Sequence, residues 1–421
     1  MDKIKGYLQQ NKLAQAILIC VYVLTTSLSL YLLQESVVAF LLVLFSLYLL
    51  YLTHFKNSIK WISAIFILTI LIPYVSSQGT AFQSYMDVST LVGIYVAMAL
   101  GLNIVVGLAG LLDLGFIAFF AIGAYTYAIF STNQVTNFIH TNFFPLTGNS
   151  FWLFIFIGGF VAAISGILLG IPVLRVKGDY LAIVTLGFGE IIRIVFNNLD
   201  RPINFTNGAK GISGIPSPTI FGYVLSDSNQ FYYVVLALLG IVILAVTRLE
   251  NSKLGRSWKA VRENEIAAQS MGIHLVRTKL LAFAIGASFS GMMGVVFSAK
   301  QMFIDPTSFT MLQSITILVM VILGGMGSVP GVILGAALVT ILNLQVLTEV
   351  TNYLNQLTLD GVISIPTALS PAKMQRFIFG MVLILVAIFR PQGLLPAKNK
   401  KVNKEDLIET HTEEHKQTIS M

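Results

Sequence analysis

A chain of 421 residues that is 56% hydrophobic and only 11% charged, with mean hydropathy +0.81, is not a soluble globular domain, where charged residues run at about 25%. It reads as an all-α polytopic membrane protein with about 10–12 transmembrane helices. The net charge of +7 comes from basic loops and is no sign of nucleic acid, and the lone Cys20 leaves the redox compartment open.

At the N-terminus Lys3, Lys5 and Lys12 precede an apolar run over 14–33. About 20 apolar residues is a spanning length and exceeds the core of a signal peptide. Gln34 and Glu35 interrupt it without a small-residue cleavage site, so the first span is retained. Further spans follow at 36–53, 61–76, 88–107, 115–131, 151–174, 179–197, 231–247, 280–298, 312–326, 331–347 and 377–390.

With the N-terminus inside and the spans alternating, 20 of the 26 Lys and Arg residues fall in inside segments, against 5 outside and Arg193 within a span. That bias predicts cytoplasmic N- and C-termini and a cytoplasmic loop over 249–279.

Two junctions are too short to be ordinary loops: "GLAGLLDLG" (107–115) and "GGMGSVPG" (324–331). Glycine breaks at membrane depth expose backbone groups that only protein or a water-filled route can satisfy. Breaks in corresponding places of two halves point to an internal repeat with a pathway between. Tight turns at the bilayer surface are the other reading, and both stand.

Two spans repeat a small residue at every fourth position: Gly158, Ala162, Gly166 and Gly170, then Ala282, Gly286, Ser290, Gly294 and Ser298. Such stripes let helices approach closely, and internal packing is their expected use. Charge away from the ends of the apolar regions is scarce: Asp113 sits in the first break, and Glu190 and Arg193 lie three apart on one helix face. The latter two either pair with each other or line a polar path. The candidate pathway set is therefore Asn103, Gly107, Gly110, Asp113, Glu190, Arg193, Gly324 and Gly325.

None of the five histidines falls in a span, and neither HExxH, clustered cysteines nor GxxxxGK[ST] occurs. An embedded metalloprotease, a metal centre and direct ATP binding by that motif are all disfavoured. A pore that borrows its energy from elsewhere remains.

The loop "GRSWKAVRENEIAAQSMGIH" (255–274) supplies a means of borrowing it. Trp258, Val261, Ala268 and Met271 follow helical spacing, with charges on the other faces. Lys259–Glu263 and Arg262–Glu265 are spaced to pair, and Gly272 ends the helix. A helix over 257–271 of this kind suits docking on a soluble partner. The candidate coupling residues are Trp258, Val261, Arg262, Glu263, Glu265, Ala267, Ala268, Met271 and Gly272.

"RENEIAAQSMGI" (262–273) resembles the coupling loop of ABC importer permeases in its branched-chain amino acid version. "ALGLNIVVGLAGLLDLGFIAFFAIGAYTYA" (99–128), "PVLRVKGDYLAIVTLGFGEIIRI" (172–194), "NGAKGISGIP" (207–216), "VILGGMGSVPGVILGA" (321–336) and "FRPQGLLP" (389–396) resemble the LivM-type permease subunit, in order, over about 88–396. The resemblance implies a permease core over 78–396; the apolar runs before it make 1–77 a set of extra N-terminal helices, and the charge bias makes 397–421 a charged cytoplasmic tail. It implies a bacterial plasma-membrane importer of leucine, isoleucine, valine and other neutral amino acids. The implied partners are a second, LivH-type permease, two LivG/LivF-type ATPases that carry ATP and Mg, an extracytoplasmic amino-acid-binding protein, and membrane lipid. This chain itself would bind no cofactor or metal and would not be an enzyme. A urea or short-amide importer, or a stand-alone secondary transporter, are the alternatives.

Overall fold

A computed structural model of the chain describes residues 82–139, 144–174 and 178–360 continuously, with the stretches 20–25, 67–73 and 393–395 and scattered single positions. The expected spans 14–33, 36–53, 61–76 and 377–390 lie largely or wholly outside the described residues, as does the tail after 397.

The helices of the core, in chain order, are α1 (Phe82–Leu102), α2 (Ile117–Ser131), α3 (Phe151–Val173), α4 (Asp179–Asn198) and α5 (Ser228–Glu250). They continue with α6 (Lys253–Glu263), α7 (Glu265–Ser270), α8 (Leu275–Gln301), α9 (Met311–Gly324), α10 (Val329–Ile341) and α11 (Leu347–Leu359). Among the described residues, seven helical stretches are long and apolar enough to cross a membrane, and α2 is a shorter apolar helix. Every expected span between 88 and 347 is thus met by a helix.

The packing inverts that of a soluble helix. α3 turns its small stripe inward: Gly158, Ala162, Gly166 and Gly170 are buried, while Leu153, Phe156, Phe160 and Leu168 project outward. Outside a bilayer such a face would be costly; within one it meets lipid tails or another membrane protein, and close backbone contact on the inner face drives association.

α8 is the central helix, lying against α3 on one side and α1 and α2 on others. A Cβ added at Gly166 would stand 2.8 Å from the Ala287 Cβ, and one at Gly158 2.5 Å from a Val295 methyl group. A Cβ at Gly286 would meet Val105 at 2.7 Å, and the Ser290 hydroxyl is directed at the Phe116 carbonyl. Both stripes are consumed by internal packing.

At the end of the bundle away from the 253–271 loop, short strands tie the connections together. β1 (Ile212–Ser213) pairs antiparallel with β4 (Phe303–Ile304), and β2 (Thr219–Ile220) with β3 (Tyr223–Val224). There Lys300 and Ser228 both donate to the Asp87 carboxylate, linking α8, α5 and α1.

Candidate functional site: the docking loop and the glycine junction

The expected single helix over 257–271 is two helices. Asn264 breaks it in extended conformation (φ −158°, ψ 113°), and its side-chain oxygen accepts the N–H groups of Ile266 (2.9 Å) and Ala267 (3.0 Å). An asparagine in that role is a strong N-cap. α7 then ends in a Schellman closure: Ile273 N–H bonds the Ala268 carbonyl, Gly272 N–H bonds that of Gln269, and Gly272 takes φ +83°. Gly272 stops the helix as its position implied.

The two charge pairs expected from helical spacing do not form. Lys259 pairs with Glu250 at 2.9 Å, and Glu265 with Lys279 at 2.7 Å. Partners on neighbouring elements lie closer than those one turn away. The apolar residues divide as well. Trp258, Val261 and Ala268 are buried within this subunit, and the Trp258 indole N–H donates to the Thr278 carbonyl at 2.8 Å. These residues seat the loop on the start of α8. Met271 is 84% exposed, as is Ile266 at 78%, a residue absent from the candidate set. Glu263 and Ala267 are also exposed, and with Asn264, Ala268 and Met271 they line a shallow groove of about 450 Å³.

The two glycine breaks meet each other. α1 ends in a turn of π-helix over Asn103–Leu108, entirely buried. Inside it the Asn103 side-chain oxygen accepts the N–H of Gly327 at 2.8 Å. Gly107 lies so close that an added Cβ would stand 2.5 Å from the Gly327 nitrogen. Gly110, Gly325 and Gly327 have φ of +71°, +119° and +83°, conformations that a side chain disfavours.

Across the second break Ser328 caps α10, accepting from the Gly331 N–H at 3.2 Å. Leu394 and Leu395 donate to the carbonyls of Leu323 (2.8 Å) and Gly324 (3.0 Å), closing the end of α9. Gly327 and Gly393 are not among the pathway candidates, although they lie in the quoted segments "GGMGSVPG" and "FRPQGLLP".

Arg262 joins this junction to the docking loop. Its Nη1 donates to the Gly107 carbonyl. A Cβ at Gly110 would meet its Cγ at 2.8 Å, and one at Gly327 would meet Nη1 at 3.2 Å.

Three of the pathway candidates stand apart. Asp113 is fully buried, but its Oδ1 accepts the Gly115 N–H at 2.8 Å while Oδ2 has no hydrogen-bond partner. Its neighbourhood is α4, where the Thr185 hydroxyl accepts the Leu114 N–H at 3.0 Å. On the same helix Arg193 Nε and Nη2 both reach Glu190 Oε2 at 2.8 Å, with about a third of each side chain exposed.

A bundle of long apolar α-helices with broken segments and a helical loop set outside the spans defines a multi-pass membrane protein. A family profile described as "Branched-chain amino acid transport system / permease component" matches residues 84–387, and the chain belongs to that family. It is 40% identical over 356 residues to the high-affinity branched-chain amino acid permease LivM of Escherichia coli, covering 79% of this chain and 74% of that one. It is 28% identical over 309 residues to a probable LivM of Methanocaldococcus jannaschii, covering 70% and 84%. The autoinducer 2 import permease LsrC of Klebsiella pneumoniae is 26% identical over 194 residues, or 44% of this chain and 51% of its own. No solved structure matches. The chain is an importer permease and not an enzyme.

Proposed function

We propose that the chain carries leucine, isoleucine and valine, together with other neutral amino acids, across the bacterial plasma membrane as one of two permease subunits. The second is LivH-type, two LivG/LivF-type ATPases hold ATP and Mg, and an extracytoplasmic binding protein delivers the amino acid. N- and C-termini face the cytoplasm, the core is 78–396, and 1–77 adds further spans.

One observation supports the energy source above all: the 253–271 loop presents Ile266 and Met271 to solvent outside the spans, beside an open groove. Neither side chain finishes the packing of this subunit, and both suit an apolar cleft on a soluble partner. The coupling surface is accordingly Ile266, Met271 and the groove. Trp258 and Val261 serve it from behind by holding the loop in place, and Ala268, largely buried, lines the groove itself.

The test is uptake of labelled leucine by the reconstituted assembly, with and without its ATPases. Uptake that persists without them would make this a stand-alone transporter. Competition by valine and isoleucine, and none by urea, is expected.

A further inference from the structure

We infer that Arg262 is the positioning residue that carries movement of the docking loop into the two glycine breaks. The inference rests on the reading of 253–271 as the ATPase-docking loop.

Besides the Lys259–Glu250 pair at the end of α5, the loop has two attachments to the core. One is to α8, through the buried Trp258 with its bond to Thr278 and through Lys279 with Glu265. The other is Arg262, which leaves the last turn of α6 and reaches a carbonyl 155 residues earlier in the chain. That carbonyl belongs to Gly107, the residue packed on Gly327, while Gly327 is held by Asn103. A single side chain therefore touches the first break directly and the second through one backbone contact.

The surroundings fit that purpose. Gly110 and Gly327 both approach the Arg262 side chain so closely that a Cβ at either would crowd it. Both also occupy left-handed backbone that can change with little steric cost. Guanidinium suits the task because its planar donors hold direction, whereas an ammonium on a flexible stem does not. Arg262 is exposed along much of its length while its tip is bonded to the buried Gly107 carbonyl, so the side chain is fixed to the junction at one end and moves with the loop at the other. Helix ends that meet through glycines can switch between discrete arrangements, as a bistable element must.

The experiment uses the assembled importer with its ATPases and binding protein, reconstituted in proteoliposomes, and compares Arg262→Ala, Arg262→Lys and Met271→Asp. We expect Arg262→Ala to retain the ATPase and its hydrolysis while leucine moved per ATP falls about tenfold. Arg262→Lys, which returns one donor to Gly107, falls between. In wild type, a non-hydrolysable ATP analogue should alter amide exchange at 107–111 and 325–328; in Arg262→Ala that response is lost.

Unchanged leucine per ATP in Arg262→Ala overturns the link. So does release of the ATPase by that variant, which would make Arg262 a docking contact. Failure of the underlying reading looks different: Met271→Asp would then bind the ATPase and transport normally.

Discussion

Asn103 and Gly327 are joined by a hydrogen bond of 2.8 Å between residues 224 apart in sequence, the first in the π-helical turn that leads into one glycine break and the second inside the other. The bond turns two separate interruptions of helix into one junction. Gly393–Leu395 closes it from a third direction by donating to the end of α9. Because the backbone groups freed by the breaks are met by other parts of the same chain, the interruption is tolerable in a membrane protein.

The junction predicts a sharp sensitivity at Gly107. A methyl group there would collide with the Asn103 amide and press on the Gly327 nitrogen. Gly107→Ala should break the Asn103–Gly327 bond, and Asn103→Leu should remove it outright. Each leaves a buried N–H unmet, at a cost of about 1–3 kcal/mol. Thermal unfolding of the purified subunit should show both variants melting below wild type; two unchanged transitions would mean the bond holds nothing.

The spans were legible because a bilayer demands long apolar runs, and because the small-residue stripes announce close packing before any partner is known. Gly272 likewise could be placed from sequence, since the left-handed closure of a helix favours glycine. The contacts of Arg262, Lys259 and Glu265 could not. Spacing on a helix shows only which residues share a face, and these three found partners on other elements. The break at Asn264 was visible in principle, as a capping residue inside an apparently continuous pattern, but the helical periodicity on both sides concealed it. Asp113 was grouped with the pathway by its place in a break, whereas its side chain closes a local turn against α4.

The burial of Ala268 reverses what its position on an apolar face suggests. At 4% exposure it meets its own subunit, so Ala268→Arg should act first on folding. Forcing a long charged side chain into that space should cost about 1–3 kcal/mol and lower the abundance of the permease in the membrane. Ile266→Ala should leave abundance at wild-type level and weaken ATPase retention instead. Quantified membrane fractions and co-purification separate the two, and normal abundance of Ala268→Arg would refute the assignment.

For Asp113 the relevant contrast is asparagine against leucine. Asparagine keeps an oxygen for the Gly115 N–H, and Asp113 makes no ion pair among the described residues that the neutral side chain would forfeit. Asp113→Asn should therefore insert, assemble and take up leucine much like wild type. Asp113→Leu leaves the Gly115 N–H unmet and should cost about 1–3 kcal/mol, seen as a lowered melting temperature. Loss of uptake in a fully assembled Asp113→Asn would instead give the negative charge a role in transport.

Glu190 and Arg193 pose the same choice for a pair. Two of the guanidinium nitrogens, Nε and Nη2, converge on one carboxylate oxygen, and the two side chains share a face of α4 flanked by outward-facing Ile191 and Ile194. A charge left alone on a membrane helix is costly, whereas a neutralised pair is tolerated. If the pair serves to make α4 insertable, either single change, Glu190→Gln or Arg193→Gln, strands its partner and should reduce the amount of subunit in the membrane. The double variant Glu190→Gln/Arg193→Gln removes both charges and should recover abundance, with leucine uptake per subunit near wild type. A pair that receives the ammonium and carboxylate of an amino acid would behave differently. The double variant would then be abundant and assembled yet inactive, and uptake per subunit is the measurement that decides. The close mutual bond, with no other partner at either charge among the described hydrogen bonds and ion pairs, favours recovery of uptake.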